Sequence, residues 1–309
     1  MDEQRIAENL MLISLRISQW TGRKKDKKVS RETVGNYNAS MDAGSFHKVL
    51  LPELKEVQKI VNQARAHYYH YTSPWGDNGD RVSSVHLYDK LVIGLRRYRE
   101  DFNETVKKVK DEYQVKVWEQ QKRLGEMFDP NDYPKQEVFA RKFDFRWFVS
   151  PLPLAGDIRL KVSEAERERI REESRVMVQE SLQESVRDTW ERLHKVVAHC
   201  YAKLNEKDAI FRDTLIGNVK DLVDVLPGLN LFDDPELARI GKAVEEDLCK
   251  YHPQTLREKK KVRGEAALVA KGILARIETM KPQVGGIDAT ISSKMGDIVR
   301  QATKFDTCF

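Results

Sequence analysis

Apolar positions along the chain follow two spacings, and the switch between them marks the elements. Ile13, Leu15 and Ile17 alternate with Ser14, Arg16 and Ser18, the period of a strand with one wet face. A second alternation runs from Phe139 to Val149. Arg141, Phe143, Phe145, Trp147 and Val149 fall on one side, and Lys142, Asp144, Arg146 and Phe148 on the other. Two isolated strands are marginal in water, so those near 12–20 and 139–149 are expected to pair over a helical layer.

Elsewhere the spacing is three-four. Leu54, Val57, Val61 and Ala64 share a helical face that begins at Pro52 and runs into Tyr68-Tyr69-His70-Tyr71. A longer helix carries Tyr88, Leu91, Leu95, Tyr98, Phe102, Val106, Val109, Tyr113 and Val117, weakened at Gly94 and ending near Gly125. Ser163 and Glu166 form a capping box that opens an uninterrupted helix to about Asn205. Its second half repeats Val186, Trp190, Leu193, Val197, Cys200 and Leu204 as a heptad, while its Glu- and Arg-dense first half is expected to project into solvent. Helices follow near Asp208–Leu226, Pro235–Tyr251, Gln254–Met280 and Ile287–Phe305, with breaks at Pro227-Gly228, His252-Pro253 and Pro282–Gly286. The pattern predicts a mainly α protein of long antiparallel and coiled-coil-like helices with a small β element. Residues 1–160 and 161–309 read as two regions, or as parts of one continuous domain.

Composition sharpens this picture. Of 309 residues, 33% are charged against a typical 25% or so, which suits long helices with solvated faces. The net charge of +5 is mild, so the distribution of cations matters more than their sum. Cys200, Cys249 and Cys308 form no CxxC pair and read as free thiols of a reducing compartment. Residues Met1–Ile6 lack a leader's basic and apolar regions. No apolar run approaches the roughly 20 residues of a membrane span. A soluble cytoplasmic protein is expected (host cytoplasm, if encoded by a phage).

Catalytic machinery is not visible. No GxxxxGK[ST], post-strand GxGxxG, GxSxG or HExxH occurs. His67 and His70 have no third ligand, His194 and His199 point to different faces, and Asp233-Asp234 before Pro235 reads as a helix cap. Neither enzyme nor cofactor nor metal site is expected.

Two features could bind a ligand. Behind Trp20, in what reads as a loop at the strand end, runs a basic stretch of Arg23, Lys24, Lys25, Lys27, Lys28 and Arg31. Cations this dense would grip a polyanion by counterion release, and Trp20 offers a ring for a base; a solvated loop beside a half-buried indole is the plain alternative. The aromatic strand is the second. Phe143, Phe145 and Trp147 are expected to face the core, leaving Lys142, Arg146 and Phe148 for contact. Arg257–Arg263 reads as a wet helix face.

Trp20-Thr21-Gly22-Arg23-Lys24-Lys25 after a short strand resembles the W-[ST]-G-R-K-K opening of an uncharacterised family of phages and mobile elements. Phe143-Asp144-Phe145-Arg146-Trp147-Phe148-Val149-Ser150-Pro151 resembles that family's later aromatic strand. The resemblance covers about the first half of the chain. It implies a setting beside a MoxR-type AAA+ ATPase and a von Willebrand A-domain protein. The helical build with basic patches is also similar to the single-stranded DNA-binding transcription cofactors of phages with a giant virion RNA polymerase, without a shared motif. Two functions are expected from all this. The first is a non-enzymatic single-stranded nucleic-acid-binding protein, DNA before RNA, acting in phage transcription or replication with an RNA polymerase as a possible partner. The second is an adaptor of an AAA+ ATPase, self-associating through the heptad as a homo-oligomer.

Overall fold

A computed structural model describes residues 8–76, 78–153, 161–206 and 212–280. The protein is mainly helical with a small antiparallel sheet, as the spacings predict. Strand β1 (Leu10–Ser18) and strand β6 (Asp144–Pro151) are neighbours in a four-stranded sheet of order β4-β5-β1-β6, where β4 is Ser73–Pro74 and β5 is Arg81–Ser84. The β5 strand pairs antiparallel with β1, Leu10 opposite Ser84 and Leu12 opposite Val82. A separate two-stranded ribbon joins β2 (Arg23–Lys25) and β3 (His47–Val49).

The helices are α1 (Lys27–Asn36), α2 (Leu54–His70), α3 (Val85–Asp111), α4 (Tyr113–Leu124), α5 (Gln136–Ala140), α6 (Glu164–Asn205), α7 (Thr214–Leu229), α8 (Pro235–Ala243), α9 (Pro253–Glu258) and α10 (Lys260–Met280); a π-helical turn, Val244–Leu248, follows α8. The chain forms two compact units from interleaved segments. One comprises the described residues of Met1–Ser14, Tyr69–Leu91 and Phe148–Phe309, the other Leu15–Tyr68 and Val92–Trp147.

In the first unit the heptad of α6 is consumed within the chain. Trp190, Leu193, Val197, Cys200 and Leu204 are buried with Ile216, Val219, Leu222 and Leu226 of α7 and Ala266, Ala270, Ile273 and Ile277 of α10. Small Ala266 and Ala270 let α10 lie close to α6. The amino-terminal half of α6 is held by its own i,i+3 and i,i+4 rungs, Arg169 to Glu166 and Glu173, Arg171 to Glu168 and Arg175 to Glu172. Such pairs each contribute about 0.3–0.5 kcal/mol, and Ser163 Oγ caps the helix by accepting from Glu166 N. The β4–β5 hairpin is pinned to α6: Ser185 Oγ donates to Pro74 O at 2.6 Å, and Arg192 donates to Tyr69 O and Thr72 O at 2.8 Å.

Several sequence expectations are corrected. The helix expected to run on to Gly125 breaks at Glu112, and the one expected over Gln254–Met280 breaks at Lys259, whose backbone is extended. Pro227 does not end a helix, since α7 runs through it to Leu229. An interior proline costs about 3 kcal/mol, and burial of Val225, Leu226 and Leu229 offsets it, at about 1.5–3 kcal/mol for each large apolar side chain. The aromatic strand begins at Asp144, because Phe139 already lies on α5, where its buried ring stacks on Tyr113 at 4.0 Å. The basic stretch is not a loop but the β2 strand followed by α1. The expected helix Ile287–Phe305, the break at Pro282–Gly286, residues 208–211 and Cys308 lie outside the described residues.

In the second unit, Gly94 is a point of close approach between α3 and α2. A Cβ there would stand 2.0 Å from His67 Nε2, and the imidazole meets the Tyr98 ring edge-on at 5.6 Å. We expect Gly94→Ala to destabilise this unit by about 1–2 kcal/mol, the overpacking penalty less the helix-propensity gain. In a His67→Ala background the same change should stabilise by up to about 1 kcal/mol. Urea unfolding of the four proteins of this cycle measures both; a neutral Gly94→Ala in the wild type would refute the clash.

Candidate functional site

The cations behind Trp20 are ordered by a turn that only glycine suits. Gly22 has φ +59°, and a Cβ on it would press into Leu54 Cδ1 at 2.8 Å. From there β2 pairs with β3 in the register Arg23↔Val49, Lys24↔Lys48 and Lys25↔His47. Side chains alternate across a ribbon, so Lys24 and Lys48 share one face, and Arg23, Lys25, Val49 and His47 share the other.

On the inner face two lysines lie side by side, an arrangement that repels unless neutralised. Asp132 neutralises it. Its side chain is 2% exposed and pairs with Lys48 Nζ at 2.6 Å and also with Lys24; Lys48 itself is 8% exposed, donates to Met127 O at 2.8 Å and lies 3.7 Å from Asp26. Burial pushes the Asp132 carboxyl up, but hydrogen bonds and charge from Lys24 and Lys48 outweigh it and hold the group below the ordinary carboxylate value. The hydrogen bond to Asp132, with its charge, raises Lys24. The ribbon is tied further by Tyr133, whose hydroxyl donates to Leu50 O at 3.1 Å, and by Arg123, which donates to Val49 O. Burial pushes the Tyr133 hydroxyl up to about 12.

Beyond the ribbon, Asp26 caps α1 by accepting from Lys28 N at 3.0 Å and Val29 N at 3.1 Å. Lys27 and Lys28 thus stand in the first turn, where the helix dipole disfavours cations. The side chains of Arg23, Lys25, Lys27, Lys28 and Arg31 are exposed and form no ion pair among the described residues. Lys24 departs from the expectation of a free contact residue: the inward phase of β2 gives it to Asp132.

Trp20 lines a groove of about 750 Å³ between the ribbon and α2, within the roughly 300–1,000 Å³ typical of ligand sites. Val49, Leu51, Leu54 and Ala66 supply apolar lining; Arg23, Lys55 and Lys59 supply charge; Gln19, Gln58, Asn62 and Gln63 supply amides. The indole meets Phe139 edge-on at 5.5 Å. Sequence reading missed the contribution of α2. Its signal is the stripe Lys55, Gln58, Lys59, Asn62, Gln63 and Ala66 at helical spacing, beside the buried stripe Leu54, Val57, Val61 and Ala64.

The aromatic strand divides as its alternation predicts. Phe145 is buried, Phe143 and Phe145 pack near Phe102 at 6.5 and 5.6 Å, and Arg99 covers Trp147 at 4.6 Å. Lys142, Arg146 and Phe148 are exposed, with Arg146 paired to Asp144 at 2.5 Å. None of the three lines the groove. In Arg257–Arg263, Arg257 is paired with Asp213.

Other candidate chemistry is spent on structure. Cys200 is fully buried and its thiol is pushed up to about 12 by burial, an inert core group. Asp234 caps α8. No cluster of three or more His, Cys, Asp or Glu able to hold a metal, and no helix long and apolar enough to cross a membrane, occurs among the described residues.

Asp132→Asn leaves buried Lys48 with only the more distant Asp26 carboxylate as counter-charge, and we expect a loss that approaches the roughly 3–5 kcal/mol of a broken buried pair. Half-exposed Lys24 contributes only about 0–1 kcal/mol to the same carboxylate. Because the folded state holds Asp132 below its unfolded value, its contribution is present above about pH 4 and is lost as pH falls through the lowered value. Urea midpoints measured against pH should show an acid-side decline that Asp132→Asn diminishes; an unchanged decline would place the controlling carboxylate elsewhere. Against this geometry, no protein-family model, no curated protein and no solved structure matches the chain.

Proposed function

We propose that this chain binds single-stranded nucleic acid, without catalysis, through the Trp20 groove and the cations that continue from it. The observation that carries the reading is the sorting of charge on the ribbon. Lys24 and Lys48 are spent on Asp132, while Arg23, Lys25, Lys27, Lys28 and Arg31 face water without ion-pair partners among the described residues. Cations gathered at the amino end of α1 weaken that helix. Local rules are broken most often where function requires it, and a polyanion would turn the cost into a gain. Phosphates would lie along Arg23, Lys25, Lys27, Lys28 and Arg31, and Trp20 would stack on a base. Lys142, Arg146 and Phe148 support the reading less, since Arg146 is engaged by Asp144. DNA is the proposed strand, in phage transcription or replication beside an RNA polymerase.

The adaptor of an AAA+ ATPase has weaker support. The α6 heptad that would make a homo-oligomer or a docking seam is already filled by α7 and α10.

Anisotropy of a labelled single-stranded oligonucleotide at several salt concentrations tests the proposal. We expect affinity to fall steeply with salt. Replacing Lys27, Lys28 and Arg31 together by alanine should flatten the slope of log K against log salt by about 2, at about 0.7 per phosphate contact. Absence of binding, or an unaltered slope in the triple variant, would refute the assigned surface.

A further inference from the structure

We infer that the groove is a pocket for one unpaired base, whose polar edge is read by the amide row of Gln19, Gln58, Asn62 and Gln63; this deepens the proposed function and rests on it. Cations alone need no cavity, so the groove calls for its own account. The amides form a relay: Gln19 Nε2 donates to Gln58 Oε1 at 2.6 Å, and Gln58 Nε2 donates to Asn62 Oδ1 at 2.8 Å. The relay fixes the orientation of three side chains. It leaves Gln19 Oε1 as an acceptor and the Asn62 amide N–H groups as donors, while the Gln63 amide makes no hydrogen bond among the described residues. A ridge that presents donors and acceptors together matches the edge of a base, which alternates the same two functions.

The rest of the lining agrees with this occupant. Trp20 gives an aromatic surface on which a planar ring can stack. Leu51 and Leu54, both buried, supply an apolar lining that a base tolerates and a free phosphate does not. Charge comes from Arg23, Lys55 and Lys59, where the flanking phosphates would run; Lys59 is held only loosely, 3.6 Å from Glu56 with both groups well exposed. An amide-lined slot with basic residues at its margin fits a nucleotide within a strand better than an aliphatic or purely anionic ligand.

The test compares a short thymidine oligonucleotide and its mixed-base counterpart with an abasic strand of equal length, at one salt concentration, on the full chain. Stacking is worth about 1–3 kcal/mol per base, so at least one base-bearing strand should bind about 5- to 150-fold tighter than the abasic one. Asn62→Ala with Gln63→Ala, both exposed on α2, should abolish most of that ratio while leaving the salt slope unchanged. Thermal melting of the variant verifies that it folds; if it does not, the single Gln63→Ala protein takes its place. Equal wild-type binding of all strands, still salt-dependent, would overturn the pocket and spare the cationic surface. An equal loss for every strand in the amide variant would overturn the pocket as well. Failure to bind any strand would overturn both.

Discussion

The buried contact between Lys48 and Asp132 is the constraint on which the candidate site depends. Removing two charges from water costs several kcal/mol each, and their attraction repays this only with good geometry and further hydrogen bonds. Further partners are present, because Lys48 also donates to Met127 O and approaches Asp26, and Asp132 also takes Lys24. Two apolar residues could fill the space with no such penalty. An ion pair has the property they lack, direction: it fixes which face of β2 turns inward. The groove wall of Arg23 and Val49, and the open flank of Lys25 and His47, follow from that choice.

Asp26 links this pair to the next element. The same carboxylate caps α1 through Lys28 N and Val29 N and stands 3.7 Å from Lys48. Ser30, one turn on, accepts from Phe46 N at 3.0 Å, and Asp26 N donates to Phe46 O at 3.0 Å, so the return of the chain toward β3 is tied to the helix it leaves. Ribbon, helix start and groove therefore form one mechanically connected piece within their unit. The other unit is held differently, by apolar burial along α6, α7 and α10.

Much of this was legible in the residues. Long periodic segments declared themselves because their apolar stripes are wide and their ends carry ordinary signals, as with Ser163 and His252, although the stripe that runs on to Gly125 hid a break at Glu112. The neighbouring of β1 and β6 followed from two alternating runs that neither could bury alone. What stayed hidden had specific causes. The strands β2 and β3 have three residues each, too few for a period to register. The helix α1 violates its own charge rule at Lys27 and Lys28, so its sequence reads as a loop. Pro227 suggested a break because the burial that offsets it comes from distant parts of the chain. The partition of cations into spent and free was unreadable as well, since Asp132 lies more than a hundred residues from Lys24.

The narrowness of the β2–β3 ribbon has an evolutionary corollary. With three residues per strand and a glycine turn before them, inside and outside are assigned by parity alone. An insertion or deletion of one residue between Gly22 and Asp26 would exchange the two sets, turning Arg23 and Lys25 toward Asp132 and Lys24 toward the groove. Point substitutions here change strength by degrees, but a change of length inverts the surface, so indels in this stretch should be purged far more strongly than replacements.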